Sequence, residues 1–379
     1  MRPNRRAVAA CAVMLMCLPA LTLGAARWID ARPGRPGVVE AAEDAHRISA
    51  EHRLPPPDAL LRRGRERSWW HEDLALLRRD SEPTATPTRS TDAAASRVRQ
   101  PAPSPSATPS PPATPTPEAA ARSVLRDNQL IVYYGTPLAA GLGVLGTMPP
   151  DDIAVAVRQR AAAFDRLNGD AAGAVPALDL IYSLAQAEPT GNGMYIRHLP
   201  DAQVRRYIEV AERHDLQLML DLQIGRSSII DEVRRIEPYL LNPRVHVAID
   251  PEYAVGAEGV PIKTPGRITG AEINEVQAYL RELVEAHGLP PKILVVHQYM
   301  DPTIVDPQAV AKVEGVDYVL NMDAFGDVKA KKKKYRHFAE KPPETKLHGF
   351  NVFLVHDHAV LSEEELLQLS PLPQVIFYQ

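Results

Sequence analysis

The chain reads as an α/β protein, a (β/α)8 TIM barrel preceded by a signal or anchor segment and a Pro-rich linker. Three observations carry that expectation. After Gln129, short β-branched runs alternate with longer helical periods, the mark of repeated βα units on a parallel sheet. Eight strand-like runs fall within about 250 residues, the size of a closed barrel rather than an open doubly wound sheet. No G-x-G-x-x-G turn and no Walker motif follows any of them, so no nucleotide cofactor is expected.

Composition sets the outer bounds. Of 379 residues 36 are proline, about twice the usual ~5%, so part of the chain is expected to lie outside a packed core. A net charge of -4 argues against a nucleic-acid binder, whose domain would be strongly basic. The two cysteines are Cys11 and Cys17, which excludes a disulfide scaffold or a cysteine-ligated zinc site from the body of the protein.

Residues 1–26 carry Arg2, Arg5 and Arg6, then an apolar run from Ala7 to Leu23, then Gly24, Ala25 and Ala26. This is the pattern of an export signal, with small residues at the cleavage point. The run is also near the lower limit of ~17 residues for an uncleaved anchor, and Val8-Ala9-Ala10-Cys11 places small residues before a lipidable cysteine. All three readings imply export, to the cell envelope or beyond it, with a membrane tether in two of them. Residues 27–122 are rich in Pro, Ser, Thr and Ala, culminating in PAPSPSATPSPPATPTP at 101–117. Such a tract buries too little apolar surface to offset its ordering entropy and reads as a disordered spacer. The domain proper is expected over 123–379.

Strands are expected at Leu130 to Tyr134, Ala177 to Ser183, Gln217 to Leu222, Val245 to Asp250, Ile293 to Gln298, Tyr318 to Asp323, Asn351 to His356 and Val375 to Tyr378. Helices are expected at Asp151 to Leu167, Asp201 to His214, Ser227 to Leu241, Ala271 to His287, Asp306 to Val313, Val328 to Phe338 and Glu363 to Leu369. Several carry entry signals: Pro149-Pro150-Asp151, Pro200-Asp201 and Ser362-Glu363-Glu364-Glu365 place proline or a capping side chain ahead of first-turn acids.

A barrel of this kind places its site at the carboxyl ends of the strands, so polar residues there have an address before a reaction is known. Side-chain parity then selects among them. In Val245-His246-Val247-Ala248-Ile249-Asp250 the branched residues suit the helix layer, leaving His246, Ala248 and Asp250 inward, with Glu252 continuing the series. The same logic turns Asp221 and Gln223 inward and gives Asn321 and Asp323 one face. Asp221, Asp250, Glu252 and Asp323 are therefore the candidate catalytic carboxylates, because paired acids in unlike environments do general acid and base work. Candidate binding groups are Tyr134, Tyr182, Gln223, His297, Gln298 and Tyr378 at strand ends and Arg197 in the long loop after the second strand. The bland reading of each is a capped loop, a salt bridge or rim packing. His356-Asp357-His358 has the composition of a metal pair without helical spacing, and neither metal nor cofactor is expected. The run from Lys329 to His337 reads as a solvated basic helix face.

The segments LDLIYSLAQAEPTGNGMYIRHLP, LMLDLQIGRSS, VHVAIDPEYAV, ILVVHQYM, NMDAFG and VIFYQ resemble a group of uncharacterised exported bacterial TIM-barrel proteins, lipoproteins among them. A looser similarity is to TIM-barrel glycoside hydrolases of the muramidase and chitinase kinds, which place acids after the fourth strand. Asp250-Pro251-Glu252 has their Asp-x-Glu form, while Val247, Ala248 and Ile249 replace the longer aspartate series of chitinases. The resemblance implies hydrolysis of a glycan by carboxylate acid/base catalysis, with a carbohydrate or other small polar ligand as partner. The alternative is a non-catalytic envelope protein binding a carbohydrate or a cation on the same scaffold.

Overall fold

The computed structural model describes residues 122–379; the export segment and nearly all of the linker expected from sequence lie outside the described residues. Eight strands follow in chain order: β1 (Asn128–Gly135), β2 (Gly173–Ala185), β3 (Gln217–Gly225), β4 (Val245–Ala254), β5 (Lys292–Gln298), β6 (Val316–Met322), β7 (Leu347–Val352) and β8 (Val375–Tyr378). Each pairs in parallel with the next, and β8 returns to β1 through Leu130↔Val375 to Tyr133↔Tyr378. The sheet is closed. With helices between the strands this is a (β/α)8 barrel, as the alternation of β-branched runs and helical periods predicts.

The helices are α1 (Pro150–Asn168), α2 (Asp201–His214), α3 (Ile229–Arg235), α4 (Glu237–Leu240), α5 (Gly270–His287), α6 (Val328–Ala339) and α7 (Glu363–Leu367). Proline at the first position starts α1, and capping boxes start α5 at Thr269/Glu272 and α7 at Ser362/Glu365, each satisfying two otherwise orphaned amides. The helix expected over 227–241 is broken at Ile236, because Pro238 cannot donate to the turn before it. The helix expected from Asp306 to Val313 is reduced to a single turn, Pro307–Ala309. Asp306 adopts a left-handed φ of 52°, and α5 takes over the backbone groups that a helix would have paired. Asn274 receives Ala311 N–H at 2.8 Å and donates to Ala309 O at 2.7 Å, while Gln277 donates to Ala311 O at 3.0 Å.

The seventh strand begins four residues before the expected Asn351 start and ends at Val352, so His356 lies in a turn. The carboxylate of Asp357 sets that turn. It accepts from Phe353 N–H at 3.0 Å and Gly326 N–H at 2.9 Å, and it pairs with buried Lys331. The basic run on α6 is thus divided: Lys331 is buried against Asp357, and Lys334 donates to Tyr299 O at 2.7 Å.

Two apolar clusters follow from strand parity. Leu130, Val132, Ile181, Met219, Ala248, Ile293, Val295, Val319, Val375 and Phe377 fill the barrel interior. The alternate residues, such as Leu178, Leu180, Val247, Ile249, Leu294 and Ile376, pack under the helices. At the amino-terminal floor, His246 receives Ile293 N–H on Nδ1 at 3.1 Å and faces Gln217 Oε1 at 3.1 Å. Beside it, Lys292 donates to Asn242 O and Val245 O, and burial pushes its ammonium down to about 7. No helix among the described residues is long and apolar enough to cross a membrane.

Candidate active site

Above the apolar interior the inward positions turn acidic. Asp179 on β2, Asp221 on β3, Asp250 and Glu252 on β4 and Asp323 just beyond β6 converge on His297 at the end of β5, and all are buried. Depth divides them. Asp179 and Asp221 are fully enclosed, whereas Asp250, Asp323 and Glu252 keep 3%, 5% and 8% of their surface.

Hydrogen bonding divides them in nearly the same way, with Glu252 the exception. Asp250 Oδ2 accepts from Tyr134 OH at 3.4 Å and from Gln223 Nε2 at 3.3 Å, and Gln223 is itself held by Ala185 N–H at 2.9 Å. Asp323 Oδ1 accepts from Asn351 Nδ2 at 2.8 Å. None of the four carboxylate oxygens of Asp179 and Asp221 has a close hydrogen bond, nor has Glu252 Oε2. His297 meets the Asn321 amide through Nδ1 at 2.9 Å and leaves Nε2 unpaired, 3.7 Å from Asp179 Oδ2. Phe377 and Tyr134 flank its ring at centroid separations of 5.0 and 6.0 Å.

The electrostatics follow from crowding five acids into one buried space. Burial, and then the charge of Asp179, pushes Asp221 up to about 8. Burial also raises Asp179 and Asp323. Glu252 is held well above the usual carboxylate range by burial and by the charges of Asp250 and Asp323, and Asp250 by burial and Asp221. Burial alone would lower His297, yet Asp179, Asp250, Asp221 and Asp323 outweigh it and raise its affinity for a proton well above the ordinary value.

Of the residues singled out from sequence, Asp221, Asp250, Glu252, Asp323, Gln223, Tyr134 and His297 are brought together. The others are elsewhere. Tyr182 has the opposite parity and packs under the helices against His198 and Tyr239 at 5.4 and 6.2 Å. Tyr378 does likewise, lying edge-on to Tyr133 at 6.0 Å with the Arg160 guanidinium 4.5 Å above its ring. Gln298 follows inward His297 and so turns outward, donating to Met300 O and lining a surface cavity with Asp301 and Lys341. Arg197 is exposed on a short strand, Ile196–His198, that pairs antiparallel with the end of β2. His356 and His358 are exposed in the β7–α7 connection.

Two members were missed, Asp179 and Asn351. Parity marks the first, since Leu178, Leu180 and Tyr182 form the helix-facing set of β2 and leave Asp179 on the other face. Asn351 was hidden by the late start assigned to its strand.

No family model and no curated protein matches the chain. Among solved structures it is similar to a hyperthermophilic endo-beta-1,4-glucanase in complex with substrate, at 10% identity and a TM-score of 0.34, over 67% of this chain and 89% of that one. The fold assignment rests on the closed strand pairing itself. Fold and site together define the class: a parallel barrel whose carboxyl-terminal mouth carries an enclosed cluster of acids around one histidine.

Proposed function

We propose that this is an exported cell-envelope glycoside hydrolase in which Glu252 is the general acid and Asp250 its carboxylate partner, with Asp323 in support. The observation that carries this reading is the convergence of these three side chains at the barrel mouth, each keeping a sliver of accessible surface while the acids below them keep none. Glycosidic cleavage needs one carboxyl that still holds its proton near neutrality and a second carboxyl beside it. Burial and two neighbouring charges favour the protonated form of Glu252, and Tyr134 and Gln223 orient Asp250. The amino-terminal pattern of arginines, apolar run and Pro-rich tract supports export and a spacer between membrane and barrel.

The test is Glu252→Gln, which keeps shape and hydrogen bonding but removes the transferable proton. Release of new reducing ends from bacterial wall and plant glycans is expected to fall by ~100-fold or more, with the melting temperature nearly unchanged. Turnover by the folded variant within a few-fold of the parent, or no turnover by the parent on any of these glycans, would leave the binding-protein reading in its place.

A further inference from the structure

We propose that Asp179, Asp221 and His297 form a binding site for one divalent transition ion, Zn²⁺ or Mn²⁺, directly beneath the acids of the mouth. The three residues come from β2, β3 and β5, and their donor atoms lie within 4.8 Å of one another. Two enclosed carboxylates without a close hydrogen bond on any oxygen are costly, because each gave up water and received only a distant imidazole or phenol in return. A cation supplies what is missing.

A second observation, independent of the acids, is the imidazole. His297 Nε2 is fully enclosed, makes no hydrogen bond, and faces Asp179 Oδ2 at 3.7 Å. That gap is too long for a hydrogen bond and suits two donors on one ion, with bonds of roughly 2.0–2.2 Å to each. The far side of the ring is held by Asn321. A half-turn of that amide brings its otherwise unpaired Oδ1 to Nδ1–H, leaving the lone pair on Nε2, as in a histidine ligand oriented by an outer acceptor. Gly349 on the neighbouring strand makes room for this amide, since a Cβ there would stand 2.5 Å from Asn321 Oδ1.

Asp250, His297 and Asp323 also bring donors within 4.8 Å of one another, but there one oxygen of each carboxylate and Nδ1 of the imidazole are already engaged, by Tyr134, Gln223, Asn351 and Asn321. Both aspartates of the inner set have both oxygens without a hydrogen bond, which favours that set. One imidazole among carboxylates favours Zn²⁺ or Mn²⁺ over Mg²⁺ or Ca²⁺, which take oxygen ligands.

The experiment needs no turnover, so its outcome is separate from that of the hydrolase reading. The full chain is stripped with chelator, dialysed against ZnCl₂ or MnCl₂, and analysed for bound metal and melting temperature. One equivalent per chain is expected, with a melting temperature rise of roughly 5–10 °C at a hundred-fold excess over Kd. Asp179→Asn and Asp221→Asn should each weaken binding by on the order of 100-fold, yet melt in chelator close to the parent, because each replaces a buried carboxyl that has no close hydrogen bond to lose. Glu252→Gln should keep the ion. A parent that retains no metal, aspartate variants that bind as the parent does, or a Glu252→Gln protein that loses the ion would each overturn the proposal.

Discussion

His246 shows how one residue type divides between scaffold and chemistry within a single barrel. It and His297 both face inward, but His246 sits at the floor with both ring nitrogens engaged by Ile293 and Gln217, and burial, aided by Lys292, lowers its proton affinity well below the ordinary value. The unfolded chain takes up a proton near pH 6.5, while the folded chain resists it. Stability from His246 is therefore fully present above about pH 6.5 and declines as pH falls below it. Denaturant midpoints of the parent and of His246→Gln should diverge on this account: the parent loses more stability between pH 6.5 and 4.5 than the variant does. Taking the difference between the two cancels the opposite trend from the acid cluster. A parent and variant with parallel pH profiles would show that His246 is not held neutral.

Parity and register decide what the strands present, and the eighth strand carries more than its length suggests. Val375, Ile376 and Phe377 are fully enclosed, and β8 pairs with both β7 and β1. Burying three such side chains is worth roughly 5–9 kcal/mol, comparable with the 5–15 kcal/mol that holds a typical domain together. Removal of Val375 to Gln379 should leave a protein without a cooperative melt near the parent temperature; an unchanged melting temperature would contradict closure through β8. Seven of the eight strands were legible from short apolar runs, because those runs are buried on both faces. The seventh was misplaced since Leu347-His348-Gly349 offers one branched residue and no alternation, while Phe353 to His356 looks strand-like and is bent instead by Asp357. The helix expected after Asp306 failed for a reason no local pattern carries: Asn274 and Gln277, more than thirty residues earlier, satisfy its backbone.

Across the whole molecule the barrel interior is sorted by depth. An apolar plug lies over a neutral histidine and a lysine with a depressed pKa at the floor; two fully enclosed aspartates with one imidazole follow; and partly accessible acids stand at the mouth. The mouth was legible in the sequence, because Asp250-Pro251-Glu252 and Asn321-x-Asp323 stand at strand ends with clear parity. The layer beneath was legible only in part: parity and strand-end position mark Asp221 and His297, but Asp179 lies mid-strand and its meaning depends on those two arriving beside it from β3 and β5. On the two readings proposed above, the barrel divides its labour, with a cation held below and proton transfer carried out above. This division is tested most directly by the anomalous difference map of the protein crystallised with Mn²⁺. One peak is expected among Asp179, Asp221 and His297, with Glu252 and Asp250 free of metal; a peak between Asp250 and Asp323, or none inside the barrel, would overturn this division.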